Sequence, residues 1–262
     1  MAHLSDLQQL AREIAIEAGD LAQRRRFEGV SIAASKSTLA DIVTEADREV
    51  EALVKQRIAA VRPDDGFLGE ESGEASGGSG VTWVVDPIDG TVNYAFGMPT
   101  YAVSIAVVEG NDPRTWRPLV GVVYAPALGE LFSAAAGQGA WLGEERLTVT
   151  DDVTAGALIS TGFGYDPASH ADQLAVVQRV MPLARDLRRL GAASLDLAYV
   201  AAGRMDAYYE RGLNPWDYAA GALLVTEAGG ELGWHAPDEQ GRAMLVSGSP
   251  AIFDRLYKTV AP

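Results

Sequence analysis

The 262-residue chain contains no cysteine. A disulfide scaffold, a thiolate zinc site and a cysteine-phosphatase mechanism are therefore excluded. Histidine is nearly as scarce: His3, His170 and His235 are the only three, and none stands in a motif. Neither an imidazole-built zinc site nor a phosphohistidine intermediate is expected. Positive charge is also short, with 21 Lys and Arg against 36 Asp and Glu, a formal net charge of −15. A nucleic-acid backbone would meet net repulsion, so no nucleic-acid partner is expected. No apolar run approaches the roughly 18 residues of a membrane-crossing helix, and Met1 to Asp6 lacks a basic stretch leading into an apolar one. The expectation is a cytoplasmic protein with no membrane partner. No Gly-x4-Gly-Lys-Ser/Thr occurs, so a P-loop is not supported, and Gly137-Gln138-Gly139 reads as a turn.

Apolar residues at 48% and charged residues at 22% describe a globular chain long enough for one large domain or two modest ones. Its most informative stretch is Trp83-Val84-Val85-Asp86-Pro87-Ile88-Asp89-Gly90-Thr91. Val84 and Val85 read as the end of a buried strand, and Pro87 cannot continue a central ladder. Asp86 and Asp89 are then delivered on a tight turn at a strand's C-terminal end, where open α/β sheets place ligands. Two carboxylates this close repel unless a cation lies between them, and magnesium prefers such oxygen donors. Gly90 allows backbone amides to approach an anion, Thr91 adds a hydroxyl, and a helix opening here would favour phosphate.

Along the chain, Leu4 to Phe27 reads as an amphipathic helix with Ser5 or Asp6 as its cap and Gly29 after its end. Ser31 to Ala40 reads as a polar connector carrying a solvated Lys36. Thr44 to Val61 reads as a second helix, with Thr44 and Asp47 spaced as a capping box and Pro63 as its stop. Gly73 to Gly80 reads as a flexible surface loop. Strands are expected at 82–85, 102–109, 119–124, 131–135, 158–161, 205–210 and 244–247, with helices at 173–183, 195–202 and 219–228. A division near Thr150 separates an N-terminal α+β half (1–150) from a C-terminal α/β half (151–262).

Acidic residues recur in other suggestive settings. Glu70 follows Gly69 beside the Gly/Ser loop, and Asp217 sits in Asn214-Pro215-Trp216-Asp217 as a helix N-cap. Asp47 is by default a cap-region acid. The order and context of Glu70, Asp86-Pro87-Ile88-Asp89-Gly90-Thr91 and Trp216-Asp217 resemble the inositol monophosphatase family of magnesium-dependent, lithium-sensitive phosphatases. Trp83 to Tyr94 and Trp216 to Gly230 meet its two signatures, with Tyr218 a substitution in the second. Asp41 to Asp47, Gly69 to Ser72 and Asp206 to Glu210 also match.

This resemblance implies an α/β (α+β) fold of alternating helix and sheet layers, with the metal site between the two halves. It implies two or three magnesium ions per site. Glu70, Asp86 and the Ile88 carbonyl would hold one ion, and Asp86, Asp89 and Asp217 a second. Such a pair, about 3.5–4 Å apart, can activate water on one side and stabilise the leaving alkoxide on the other. Thr91 and Asp47 would orient and deprotonate the attacking water, and the amides of Gly90 and Thr91 would receive phosphate oxygens. Asp89, Gly191, Ala192, Ala193, Glu210 and Asp217 would meet the organic part of a small phosphate ester. Many relatives carry a hydroxyl residue where Ala192 stands here. The expected activity is a phosphomonoesterase acting on myo-inositol 1-phosphate, with histidinol phosphate, fructose 1,6-bisphosphate and 3′-phosphoadenosine 5′-phosphate as alternatives. The expected state is a homodimer.

Two rival readings of the acids remain. The Asp-Gly-Thr triplet invites comparison with haloacid-dehalogenase-like phosphatases, but the preceding Asp lies three residues away rather than two. A metal-stabilised structural protein would have no need of the Thr91 hydroxyl.

Overall fold

The computed structural model describes residues 4–29, 32–35 and 42–261. His3, Lys36, Asp41 and most of the expected connector lie outside the described residues. Residues 32–35 of that connector form β1 (Ile32–Ser35), which pairs antiparallel with β2 (Ile42–Thr44).

The main sheet has eight strands in the order β10-β9-β8-β7-β6-β5-β3-β4. They are β3 (Gly66–Gly69), β4 (Gly73–Ala75), β5 (Val81–Asp89), β6 (Ala102–Glu109), β7 (Arg117–Ala125), β8 (Glu130–Ala135), β9 (Ala140–Leu142) and β10 (Glu145–Arg146). Neighbouring strands run antiparallel except β3 and β5. Side chains alternate across a strand, and the sequence uses both faces. Val103, Ile105 and Val107 of β6 join Trp83 and Val85 against one helical layer. Ala102, Ala106 and Val108 join Val84 and Val123 against another.

The first layer is α1 (Leu4–Glu28) and α2 (Glu45–Val61), with Leu7, Ala11, Ile14 and Ala18 of α1 recurring at helical spacing on the buried face. The second layer is α5 (Ala193–Ala201) and α6 (Pro215–Glu227). It is covered on both sides, so its helices carry little polar surface. Close approach needs glycine here: a β-carbon on Gly121 would lie 2.6 Å from the Ala220 carbonyl oxygen, and one on Gly221 would lie 2.5 Å from Cβ of Leu197.

Beyond the middle layer lies a five-stranded sheet, β12-β11-β13-β15-β14. It consists of β11 (Ala157–Thr161), β12 (Ala184–Arg188), β13 (Ala207–Arg211), β14 (Glu231–His235) and β15 (Met244–Gly248). Val176 and Val180 of α4 (His170–Val180) and Phe253, Leu256 and Val260 of α7 (Phe253–Val260) cover its outer face. The layers run α–β–α–β–α, the alternating α/β architecture expected from the sequence. Among the described residues no helix is long and apolar enough to cross a membrane.

Several local expectations need correction. Ser5 and Asp6 lie inside α1 rather than capping it. Part of the Gly73–Gly80 loop is the edge strand β4, closed onto β3 by a tight turn over residues 70–72. β5 continues through Pro87 to Asp89, with the ladder to β6 irregular between Asp86 and Asp89. Proline is tolerated there because a bulge already breaks the pairing. α6 begins at Pro215, and Asp217 is its third residue, with Asn214 as the cap. β12, β14 and α7 had not been expected.

Candidate active site

Helix N-termini and one bulged strand end deliver the acids. β3 pairs with β5 only as far as Gly69↔Val85, so Pro87 interrupts no bond on that side. Asp86 Oδ1 accepts from the Ile88 amide at 3.1 Å. Gly90 then turns the chain with φ +89°, and α3 (Thr91–Phe96) begins. A β-carbon on Gly90 would lie 3.0 Å from the Thr100 carbonyl oxygen and 3.2 Å from Ala192, so glycine is required by both conformation and space.

Asp89 reaches the start of α5, 105 residues away. Its Oδ2 accepts from the Ser194 amide at 2.7 Å and from the Ser194 hydroxyl at 2.5 Å. Asp217 Oδ2 accepts from the Asn214 amide at 2.6 Å, closing the α6 capping box. Asp47 does the same for α2: its Oδ2 accepts from the Thr44 amide at 2.7 Å and the Thr44 hydroxyl at 2.5 Å. Its other oxygen, Oδ1, faces Thr91, whose hydroxyl lies 3.2 Å away and 3.0 Å from the Ile88 carbonyl oxygen. The expected Thr91–Asp47 pair is therefore formed.

Glu70 is set where the chain leaves β3, with its amide donating to the Val85 carbonyl. The next two residues are clamped by Glu51 of α2, whose oxygens accept from the Glu71 and Ser72 amides, both at 2.8 Å. A β-carbon on Gly69 would lie 2.4 Å from Glu51 Oε2, so the clamp needs glycine there.

A cavity of about 480 Å³ brings these residues together. Glu70, Asp86, Ile88, Asp89, Gly90 and Thr91 line it from the main sheet, and Gly191, Ala192, Ala193, Glu210 and Asp217 from the far side. Asp47 stands behind Thr91. Burial, then the charge of Glu70, Asp89 and Asp217, pushes Asp86 well above the usual carboxylate range. Burial likewise raises Asp217 well above that range, with Asp89 adding to it. Asp89 rises to about 6 through burial, opposed by the Ser194 hydrogen bonds, and Asp47 rises to about 6 through burial, opposed by Thr44.

The donor set fits a hard divalent cation. Asp86, Asp89 and Asp217 each have an oxygen held by a backbone amide, and the Ala193 amide adds a further bond to Asp89. Among the described residues, however, no three acidic or imidazole groups are already drawn together as a ligand cluster. The carboxylates share a cavity without forming a closed cage.

On the opposite wall, Glu210 Oε2 accepts from the Tyr208 hydroxyl at 2.5 Å, and burial pushes Glu210 to about 7. Gly191 takes φ +86°. The Asn93 side-chain amide ties the Thr100 carbonyl to that of Leu190 at 2.7 and 2.8 Å. Sequence reasoning assigned no role to Ser194, Glu51 or Asn93. Asn93 lay inside the first signature and could have been singled out. The other two act across chain separations that leave no local trace.

Acids presented around one cavity on this five-layered frame define a phosphoric monoester hydrolase. A model of the inositol monophosphatase family matches residues 3–251, and the chain belongs to that family. Inositol-1-monophosphatase of Mycobacterium bovis is 41% identical over 271 residues, covering 95% of this chain and 91% of that one. Nus factor SuhB of Escherichia coli is 42% identical over 226 residues, covering 84% and 82%. The structure of the extragenic suppressor protein suhB from Bartonella henselae superposes with a TM-score of 0.86 at 34% identity, covering 97% and 98%. The family acts on small phosphate esters and is generally metal-dependent.

Proposed function

We propose that the chain is a magnesium-dependent phosphomonoesterase whose substrate is a small polyol phosphate, myo-inositol 1-phosphate first, cleaved by in-line attack of water without a phosphoenzyme. The observation that carries this reading is the shared pattern of Asp86, Asp89 and Asp217. Each has an oxygen fixed by a backbone amide, and all three line one cavity together with Thr91.

Glu70, Asp86, the Ile88 carbonyl, Asp89 and Asp217 would hold two or three magnesium ions, which when bound supply charge neutralisation and a lowered pKa for water. Thr91 presents its hydroxyl proton to Asp47 Oδ1, leaving its lone pairs to accept a hydrogen bond from water. A carboxylate raised to about 6 is a stronger base near neutrality than an ordinary one. The water's proton passes through Thr91 to Asp47, the new P–O bond forms, and the ester P–O bond breaks. The departing alkoxide takes a proton from solvent, so phosphate and a free alcohol remain. The Gly90 and Thr91 amides receive phosphate oxygens. Gly191, Ala192, Ala193, Glu210, Asp89 and Asp217 orient the alcohol, and Glu210 can accept from vicinal hydroxyls. The family resemblance supports a cytoplasmic homodimer as the working state.

Phosphate release measured on myo-inositol 1-phosphate, histidinol phosphate, fructose 1,6-bisphosphate and 3′-phosphoadenosine 5′-phosphate, with and without magnesium, tests the reading. The inositol ester should turn over fastest and only with the cation. Asp89→Asn should abolish that turnover while keeping the fold, and a near-wild-type rate in this variant would refute the assignment.

A further inference from the structure

Ser194 is fully buried and is the second residue of α5. A serine in a helix's first turn ordinarily serves the helix, by capping an amide or bonding back to a carbonyl. Ser194 does neither. The α5 cap position is Ala192, which has no side-chain cap, and the Ser194 hydroxyl donates instead to Asp89 Oδ2 at 2.5 Å. Burial alone does not force this pairing: the buried hydroxyls of Ser133, Ser247 and Ser249 have no hydrogen-bond partner among the described residues.

The consequence lies in the carboxylate's rotation. The Ser194 amide also reaches Oδ2, at 2.7 Å, so two donors of one residue grip one oxygen. With Oδ2 held twice by Ser194 and the Ala193 amide also bonding the group, the carboxylate is fixed in one rotation at the cavity edge. The backbone amides of Ala193 and Ser194 alone would hold the carboxylate less firmly against rotation than they do with the hydroxyl added. Groups that orient a ligand in this way commonly govern metal affinity by 10–100-fold.

We infer that the Ser194 hydroxyl is a positioning group that locks Asp89 Oδ2 and thereby presents the carboxylate to a divalent cation. This rests on the reading of Asp89 as a cation ligand. It adds that a side chain of the C-terminal half, outside the cavity lining, sets the geometry of an acid from the main sheet.

The test is calorimetric titration of the full-length, metal-free protein with manganese, for wild type, Ser194→Ala, Ser194→Thr and Asp89→Asn. Ser194→Ala keeps the backbone amide and should weaken manganese binding by about tenfold. Ser194→Thr, which keeps the hydroxyl, should return it to within about threefold of wild type. In parallel, the magnesium concentration giving half-maximal turnover should rise in Ser194→Ala, while the maximal rate at saturating magnesium changes less. Should Ser194→Ala fail to fold, Ser194→Cys fills nearly the same space with a weak donor and must show the same loss. Wild-type manganese affinity in a folded Ser194→Ala or Ser194→Cys protein overturns the inference. Undiminished binding by Asp89→Asn overturns instead the reading of the site on which it rests.

Discussion

Gly162 lies so close to the carboxylate of Glu210 that a β-carbon on it would fall 1.8 Å from Oε2. The glycine is therefore what lets Glu210 stand in the cavity wall. Its φ is not positive, so alanine is compatible with the backbone and only space is contested. Gly162→Ala should displace Glu210 and raise KM for the polyol phosphate about tenfold, of the order of one lost hydrogen bond to a charged group. Manganese affinity should stay near wild type. Steady-state kinetics beside a manganese titration separates the two effects.

The Thr91–Asp47 pair predicts a different signature. Asp47→Asn keeps an acceptor for the Thr44 cap and removes the base, so the fold should persist. The maximal rate should fall by about 10²–10⁴, the usual reach of a general base, with KM and cation affinity little changed. Thr91→Ala should fall by a comparable factor, and Thr91→Ser should retain most of the rate.

Stability of the metal-free protein should depend on pH in an unusual direction. Asp47 and Asp89 bind protons more tightly folded than unfolded, with folded values of about 6 against 3.8. Glu210 stands at about 7 against 4.5. A carboxyl group raised by folding stabilises while protonated, and that contribution is lost as pH climbs from the unfolded to the folded pKa. Metal-free Tm should therefore fall between about pH 4 and pH 7, and saturating magnesium should flatten the decline. Asp112, held down to about 2 by Arg114, changes below this window. A metal-free Tm that climbs across the interval would contradict the burial of these acids.

Glu51 offers a test away from the cavity. Glu51→Gln replaces one acceptor oxygen by a donor facing the Glu71 or Ser72 amide. An unsatisfied buried donor costs about 1–3 kcal/mol, to be read by urea unfolding. Cation affinity should weaken as well, because the chain just after Glu70 loses its clamp.

Legibility of the fold followed local signals. The α2 capping box, the β6 strand and the opening of α3 after Gly90 stand where hydrophobic period and turn chemistry placed them. β12 did not, because Ala184-Arg185-Asp186-Leu187-Arg188 is an edge strand with its charges in solvent and no apolar alternation. β14 carries a half-exposed Trp234 and a glycine at its centre, which hides its pattern in the same way. At the site, Glu70, Asp86, Asp89, Glu210 and Asp217 were marked by their own neighbours in the chain, while Asp166, which also lines the cavity, was not. What oriented those acids was not, since the Asp89–Ser194 bond and the Glu51 clamp depend on which helix the layers bring alongside.

The middle layer belongs to both sheets at once. Val84 and Phe132 on one side and Tyr208 and Leu245 on the other share a single apolar cluster with α5 and α6. Asp217 issues from that slab and Asp89 is fastened to it, so the protein has no seam along which its chemistry could be parted from its architecture. A fragment ending anywhere before α5 would strip the large sheet of its inner cladding and leave the cavity with one wall.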